Sequence, residues 1–413
     1  MECNNITISL ANVGKIDPFS LEDYRKNGGF EALKKALKLN PASIIEEIQM
    51  SGLRGRGGAG FPTAIKQRTT QTSCQECTER YLICNADEGE PGTYKDRIIM
   101  ENDPFLLIEG ILIAAYAIGA TQGFIYIRGE YYDSIRKVEH AIAECYKSGF
   151  IGKNILNSSF SFDLEVFYGA GSYLCGEELT LIESLEGKRG YPRIKPPFPA
   201  EKGLFGKPTL VNNVETYSHI PFIIKEGSKR YSSIGTSESK GTKLFCISGN
   251  VVNAGTYELP LGITLKELIF DCCGGMKKGH EFKGALLGGA AGTFVDASFL
   301  NIPLAYETLK QQGATLGSGA VIVIDQTTNI KGLLTNILEF FKHESCGKCV
   351  PCRIGTTLLY DKSKERLTDD DLTWLELQAT YMAQTSLCPL GQSPVLPVKT
   401  AIKYFKEQIV QVL

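Results

Sequence analysis

Four of the thirteen cysteines have the spacing of a metal centre. Cys346, Cys349 and Cys352 follow one another with two residues between them, and Cys388, which precedes a proline, is a distant fourth candidate. Gaps of two residues in a tight loop let consecutive thiolates converge on one face of a cubane, and a remote Cys-Pro completes the coordination. Structural zinc usually takes its ligands in pairs, each pair on its own turn. The pattern therefore favours a 4Fe–4S cluster, with zinc as the alternative.

A further pair, Cys74 and Cys77, has C-x2-C spacing within the polar stretch QTSCQECTER. The sequence offers no second pair with suitable spacing, so a surface loop is the favoured interpretation. Coordination shared with a partner or with a distant thiol is the alternative.

A glycine-rich segment, SGLRGRGGAGFPTAIK at residues 51–66, suits close contact with a flat or phosphorylated ligand. Gly55, Gly57 and Gly60 satisfy G-x-G-x-x-G, but a predicted helix precedes them, whereas a dinucleotide fold has a strand there. A flexible surface loop is therefore an open alternative. Three basic residues add positive charge for a phosphate: Arg54, Arg56 and Lys66.

Two polar segments follow predicted strands. NADEGEPG at residues 85–92 comes after the apolar run YLICN, and GAGSYLCGEE at residues 169–178 lies between a strand and a helix. Ligands bind at the carboxyl ends of parallel strands, and free backbone N–H groups at a helix start meet anionic or polar atoms. The alternatives are a solvated acidic turn and glutamates that only complement the helix dipole.

A proline-stiffened segment, residues 193–216, combines aromatic rings, lysines and two asparagines. Such a segment could stack an adenine and neutralise a pyrophosphate, although a loop with satisfied lysines is the alternative. Its candidate residues are Lys195, Phe198, Lys202, Phe205, Lys207, Asn212 and Asn213.

The elements that must position these residues change in kind along the chain. Alternating strands and helices between residues 81 and 185 predict a parallel α/β sheet. Residues 243–289 predict two strands, a helix and a strand, a small α+β module similar to a ubiquitin-like β-grasp. From residue 329 onward nearly everything is helical, which predicts a four-helix bundle. We therefore expect an α/β Rossmann-like domain at 1–240, a β-grasp domain at 241–326 and a helical bundle at 327–413.

Composition limits the class of protein. The chain has 413 residues, 43% of them hydrophobic, and a net charge of −2, so no long-range field favours nucleic acid or an anionic membrane. The most apolar stretch, residues 105–120, is too short for a membrane span and contains Glu109. The N-terminus lacks the pattern of a secretory signal. We expect a soluble cytoplasmic protein whose partners could be bound to a membrane.

In combination, five motifs resemble the flavoprotein subunit of respiratory NADH dehydrogenase, the 51-kilodalton type. They are, in order, GLRGRGGAGFPT, NADEGEPGTYKDR, GEE, KPPFPAEKGLFGKPTLVNNVET and ESCGKCVPCR. The beta subunits of NAD-linked soluble hydrogenases and formate dehydrogenases are similar in the same segments. The likeness extends from about Ser51 to Phe405 and implies FMN, NADH and one 4Fe–4S cluster.

The resemblance also implies residue roles. It assigns FMN to Gly55, Gly57, Lys66, Asn85, Asp87, Gly176, Val211, Asn212 and Asn213. It assigns NADH to Phe61, Glu88, Glu90, Tyr173, Glu178, Lys195 and Phe198. Two positions depart from the family. Arg68-Thr69-Thr70 replaces an aromatic found in many relatives, which implies weaker adenine stacking, and Gly89 replaces a serine as in the hydrogenase branch.

The implied activity is hydride transfer from NADH to FMN, then release of single electrons to the cluster and on to partner subunits. No side chain needs to act as a general acid or base in that step. The implied partners are a thioredoxin-like 2Fe–2S protein and a larger iron–sulfur or catalytic subunit. Two alternatives stay open, namely an electron-bifurcating complex and a non-catalytic iron–sulfur scaffold with a decayed nucleotide site.

Overall fold

The computed structural model describes residues 6–73 and 79–410. The hypothesis about Cys74 and Cys77 therefore falls outside the described residues.

The N-terminal region forms three separate helices before the glycine-rich segment. Gly28 and Gly29 follow the first helix, and Phe30 comes next with a left-handed φ of 61°. Asn40 then caps the third helix, accepting a hydrogen bond from the Ala42 N–H at 2.9 Å. The helices are α1 (Leu21–Lys26), α2 (Glu31–Ala36) and α3 (Pro41–Ser51).

The first sheet is parallel throughout, as the alternating pattern predicted, and its strand order is β3-β2-β1-β4. Its register places Asn85 beside Asn213 at the carboxyl ends of β1 and β4. The strands are β1 (Tyr81–Ala86), β2 (Gln122–Ile127), β3 (Asp163–Tyr168) and β4 (Thr209–Asn213). The accompanying helices are α4 (Thr63–Thr72), α5 (Lys95–Asn102), α6 (Pro104–Ile118), α7 (Tyr132–Lys147), α8 (Glu178–Leu185), α9 (Pro199–Lys202), α10 (Val214–Glu226) and α11 (Ser228–Ser232).

Helix α6 is the buried core helix of this region. Its one carboxylate, Glu109, accepts hydrogen bonds from the N–H groups of Phe30 and Leu33 at 2.8 and 2.9 Å. The side chain thus satisfies backbone donors at the start of α2, which explains an acid in an apolar helix. Across the described ranges, no helix is long and apolar enough to cross a bilayer.

The second sheet has five strands in the order β6-β5-β9-β7-β8. Only β5 and β9 are parallel to each other, and the other neighbouring pairs are antiparallel. The strands are β5 (Thr242–Gly249), β6 (Gly255–Pro260), β7 (Phe282–Leu287), β8 (Thr293–Asp296) and β9 (Ala320–Asp325). A π-helical segment (Glu267–Cys272) and α12 (Tyr306–Gln311) lie between strands. The sequence pattern indicates three of these strands and misses β8 and β9.

Four long helices and one short helix complete the described chain. They are α13 (Ile330–Glu344), α14 (Val350–Lys364), α15 (Asp369–Thr385), α16 (Pro389–Gln392) and α17 (Val395–Ile409). Thr368 and Asp371 form a reciprocal capping box at the start of α15. Short 3-10 turns occupy Ile155–Asn157, Tyr173–Gly176, Leu204–Gly206 and Ala297–Phe299.

Candidate functional site

A cavity of about 600 Å³ lies at the carboxyl ends of β1 and β4. The glycine-rich loop, α4, the start of α8 and the loop before α9 form its other walls. Most residues that the resemblance assigned to FMN or NADH line it: Gly55, Gly57, Phe61, Lys66, Asn85, Gly176, Glu178, Lys195, Phe198, Val211, Asn212 and Asn213. The remaining four, which are not in its lining, are Asp87, Glu88, Glu90 and Tyr173. Thr69, from the stretch Arg68-Thr69-Thr70, also lines the cavity.

The glycine-rich loop is closed on itself by backbone hydrogen bonds. The Gly55 N–H donates to the Phe61 carbonyl at 2.8 Å, and the Thr63 N–H donates to the Leu53 carbonyl at 3.0 Å. A Cβ on Gly57 would lie 3.2 Å from Cβ of Asn213, so the loop passes tightly against the end of β4. Absence of a side chain at this position keeps the cavity open.

The two arginines of this loop have structural roles, which corrects the expectation that they add charge for a phosphate. Arg56 is fully buried, and its guanidinium donates to the Lys240 carbonyl at 2.6 Å and to the Tyr231 hydroxyl at 3.0 Å. Arg54 donates to the Gly60 carbonyl at 2.6 Å and stacks over the Tyr306 ring. Of the three basic residues, only Lys66 lines the cavity.

One glutamate bridges two lysines in the cavity wall. Lys66 Nζ lies 3.0 Å from Glu178 Oε2, and Lys195 Nζ lies 2.8 Å from Glu178 Oε1. Lys195 also pairs with Glu177 at 2.8 Å. Burial alone would raise the pKa of Glu178, but the two lysines outweigh burial and hold that pKa below its ordinary value. Glu178 is therefore an anion in the wall of the cavity.

Asn213 is held from behind by a buried ion pair. Lys95 Nζ donates to Asn213 Oδ1 at 3.1 Å, and Asn213 Nδ2 donates to Asp96 Oδ2 at 2.6 Å. Lys95 also pairs with Glu215, which is bound to Lys243 as well. The sequence reasoning missed these four charged residues. Their signal was present, because three of them lie inside the motifs KDR and NNVET.

The acidic side chains in the segment after β1 have different environments. Both oxygens of Asp87 are buried without a hydrogen-bond partner in the described part of the chain, and burial raises the pKa of this carboxyl to about 7. Glu88 accepts hydrogen bonds from the N–H groups of Asp96 and Arg97, so it caps the start of α5. The NADH role assigned to Glu88 stays a prediction. Its carboxylate is bound to backbone N–H groups of α5.

Glu90, in the loop after β1, links two other loops of the chain. It accepts a hydrogen bond from the Tyr173 hydroxyl at 2.6 Å and another from the Ala291 N–H at 3.1 Å. These contacts hold Tyr173 beside the acidic segment. The assignment of Glu90 and Tyr173 to NADH stays a prediction.

The four cysteines of the predicted cluster meet within the bundle. Cys349 precedes α14, Cys352 lies in its first turn, and Cys388 precedes α16. Cys352 and Cys388 belong to one buried cluster of side chains, and Cys346 and Cys349 pack against it. Burial raises the pKa of Cys352 to about 11.

In the described residues, no group of three or more His, Cys, Asp or Glu side chains is arranged to hold a metal ion. The choice between zinc and a 4Fe–4S cluster therefore rests on the three closely spaced cysteines with a distant Cys-Pro, a pattern that favours the cluster.

The cavity and the cysteine site adjoin. Pro389, the residue after Cys388, lines the cavity together with Glu177. A group bound in the cavity would therefore lie next to a cluster held by the cysteines.

An unpaired amide in the cavity wall indicates the kind of group that fits. Asn212 Nδ2 is buried and donates to no acceptor within the described ranges. Its neighbour Asn213 and the cation Lys66 also line the cavity. An amide donor, a cation and a glycine loop suit the carbonyl edge, the phosphate and the flat ring of a flavin nucleotide.

The fold and the site together are those of an α/β nucleotide-binding protein with a four-cysteine centre. Residues 48–222 match the Nuo51 FMN-binding domain, residues 244–290 an SLBB domain, and residues 332–412 the NADH-ubiquinone oxidoreductase-F iron-sulfur binding region. The chain belongs to this family of NADH-quinone oxidoreductase flavoprotein subunits.

Individual relatives are similar in sequence over nearly the whole chain. The chain is 45% identical to an NADH-quinone oxidoreductase subunit of Rhizobium meliloti, covering 98% of this chain and 96% of that protein. It is 43% identical to NADP-reducing hydrogenase subunit HndC of Solidesulfovibrio fructosivorans, covering 98% and 83%. It also resembles the crystal structure of an air-oxidised NAD+-reducing [NiFe]-hydrogenase, with a TM-score of 0.84, 36% identity and coverage of 98% and 67%.

Proposed function

We propose that this chain is the NADH-oxidising flavin and iron–sulfur subunit of a larger complex. The observation that carries the proposal is the shared wall between the cavity and the cysteine site, at Cys388-Pro389. When bound, FMN supplies the chemistry that accepts a hydride from NADH and releases electrons one at a time. The chain's contribution is to hold, orient and shield the reacting groups.

The residues divide this work by position. Gly55 and Gly57 give the flavin ring access to the backbone, Lys66 neutralises its phosphate, and Asn212 and Asn213 present amides at the strand end. The nucleotide occupies the outer part of the cavity, and its assigned contacts include Phe61 and Phe198, which are 47% and 50% exposed. Their exposure supports a nucleotide that enters from solvent. The cluster is held by Cys346, Cys349, Cys352 and Cys388.

The division into domains and the partners form part of the same proposal. The two sheets and the helical C-terminal part support domains at 1–240, 241–326 and 327–413, and the strand order β6-β5-β9-β7-β8 supports a β-grasp for the middle one. The complete site argues against a scaffold with a decayed nucleotide site, and no observation favours electron bifurcation. A cytoplasmic location remains the expectation.

Exposed apolar side chains near the cluster support assembly with other subunits. They form one stripe on α14 and one on α15, which pack together, and comprise Val350, Ile354, Leu358, Trp374, Leu377 and Tyr381. A stripe that starts beside Cys349 suits a partner that receives electrons from the cluster. We propose iron–sulfur subunits for this role, including a thioredoxin-like 2Fe–2S protein and a larger iron–sulfur or catalytic subunit.

The flavin site is tested by filling the glycine cradle. Gly57→Val adds a branched side chain where even a Cβ lies 3.2 Å from Asn213. We expect the purified variant to retain its folded circular dichroism spectrum and iron but to lose most of its FMN. Gly255→Val in β6 is the matched control, since only Tyr257 lies within 4 Å of its Cβ. Normal FMN content in Gly57→Val would contradict the proposed site.

A further inference from the structure

The cluster loop contacts two separate loops of the proposed nucleotide site. Glu344, two residues before Cys346, accepts a hydrogen bond from the Tyr173 N–H at 3.0 Å. Lys348, two residues after it, donates from Nζ to the Pro192 carbonyl at 2.8 Å. Both contacts arise from one short stretch of chain around a cluster ligand.

Lys348 also contacts an aromatic ring of the same loop. Lys348 Nζ lies 5.5 Å from the centroid of the Tyr191 ring, within the range of a cation–π interaction. The lysine therefore holds the loop at Tyr191 and Pro192 through a carbonyl and an aromatic face. The hydrogen bond requires a donor at position 348, and the contact with the ring requires a positive charge there.

The loop that Lys348 contacts has no regular secondary structure. Residues 189–198 contain no helix or strand, and Ile194 at its centre is 73% exposed. Side chains anchor it, through Arg193 to Glu183 and Glu186 and through Lys195 to the glutamates of α8. The same loop delivers Lys195 and Phe198 to the cavity wall. Its position thus decides where two assigned nucleotide contacts lie.

We propose that Lys348 is a positioning residue that fixes the nucleotide loop, residues 189–198, against the cluster loop. The inference rests on the proposed NADH site and goes beyond it, because Lys348 does not line the cavity. It couples nucleotide affinity to the loop that carries Cys346 and Cys349. A fixed loop meets the nucleotide with less ordering cost than a mobile one.

The test uses three variants of the full-length, flavin- and cluster-loaded protein. Lys348→Met removes the donor and keeps the length, and Lys348→Arg restores a cation. Lys342→Met is the matched control, because Lys342 also lies over a tyrosine ring of the bundle, 4.6 Å from the Tyr360 centroid, but contacts neither nucleotide loop. The measurements are the Kd for NAD+, hydrogen exchange of the amides at residues 193–195, and iron content.

We expect Lys348→Met to raise the Kd by roughly threefold to tenfold, as for loss of one hydrogen bond of about 1 kcal/mol. Exchange at residues 193–195 should accelerate while iron content and kcat at saturating NADH stay near wild type. Lys348→Arg should recover most of the affinity, and Lys342→Met should match wild type.

Three outcomes would overturn the inference. An unchanged Kd and unchanged exchange in Lys348→Met would show that the loop needs no anchor from the bundle. Loss of iron in that variant would show that the lysine serves the cluster. If the wild type does not bind NAD+, both the inference and the proposed function are wrong. The first two outcomes would contradict the inference alone.

Discussion

At the residue scale, one half-buried carboxylate in the cavity wall, Glu178, is paired with two lysines. Glu178 contacts both Lys66 and Lys195, and its pKa is lowered by them. Its negative charge near the proposed ribose position suits a free hydroxyl, which can donate a hydrogen bond. A 2′-phosphate would meet like charge there.

This charge predicts preference for NADH over NADPH. The prediction needs testing in this chain because one relative is named for NADP reduction. We expect wild type to favour NADH strongly in kcat/KM with an artificial acceptor. Glu178→Ala should shift the ratio toward NADPH by about tenfold, or ~1.4 kcal/mol.

Glu226→Ala serves as the control for nucleotide preference, since Glu226 pairs with Arg230 outside the cavity. It should leave the ratio unchanged. Equal use of the two nucleotides by wild type would refute the electrostatic argument.

The sequence was informative about residues wherever a motif combined several chemical types. The cluster cysteines and the asparagines of β4 were predicted, and the structure brings each set together. Burial was harder to predict, because a charged side chain in a loop looks the same whether it faces a ligand or the interior. Arg56 was therefore expected at a phosphate and lies in the core, while Lys95 was overlooked.

At the element scale, α6 begins with a buried acid. Asp103 caps this helix by accepting from the Leu106 N–H at 3.1 Å, and it also accepts from Asn12 Nδ2 at 2.8 Å. Burial raises its pKa from 3.8 to about 7, and the charge of Glu109 adds to the rise. Its ionisation in the folded protein is therefore opposed near neutral pH.

This cap predicts a pH dependence of stability. Between pH 4 and 7 the folded protein keeps a proton on Asp103 that the unfolded chain releases, so stability falls as pH rises through that window. Asp103→Asn keeps a cap oxygen and cannot ionise. We expect the free energy of unfolding of wild type, relative to Asp103→Asn, to decrease from pH 5.5 to 8 by on the order of 1–3 kcal/mol.

Chemical denaturation at several pH values measures this difference. Asp133→Asn, at an exposed position of α7, should follow the wild-type profile. Parallel profiles for wild type and Asp103→Asn would show that Asp103 ionises equally in the folded and unfolded chains.

Elements were predictable where periodicity was uninterrupted. The long bundle helices and three strands of the first sheet were predicted because their apolar spacing runs unbroken, whereas β4 was missed inside a proline-rich segment. Strand β8 follows the glycine-rich turn GGAAG, and β9 follows GSG, so their short patterns were hidden between turn residues. Likewise, Gly28 and Gly29 divide the N-terminal helices.

At the scale of the whole molecule, the site is built from parts distant in sequence. Glu90 in the loop after β1 contacts Ala291 in the loop between β7 and β8, and Glu344 at the end of α13 contacts Tyr173. No local pattern could predict these contacts, because they depend on how the sheets and the bundle pack. The resemblance to a family gave the order of domains, and the packing gave the adjacency of cavity and cluster.

That adjacency is the central claim, and it implies that a cluster held by the four cysteines would accept electrons from a flavin bound in the cavity. Replacing one cluster ligand should therefore prevent reduction of the cluster while leaving reduction of the flavin by NADH intact. Cys388→Ser removes a ligand beside the cavity without touching the assigned flavin contacts. Cys145→Ala, in the core of α7, removes a buried thiol remote from the cysteine site and serves as the control.

The most direct test is an anaerobic NADH titration that follows flavin absorbance near 450 nm and the electron paramagnetic resonance signal of the reduced cluster. We predict that wild type and Cys145→Ala show both flavin bleaching and the cluster signal. Cys388→Ser should still bleach its flavin but should lose the cluster signal and much of its iron. Four irons per chain with full NADH-dependent cluster reduction in Cys388→Ser, or a flavin that stays oxidised in wild type, would contradict the account.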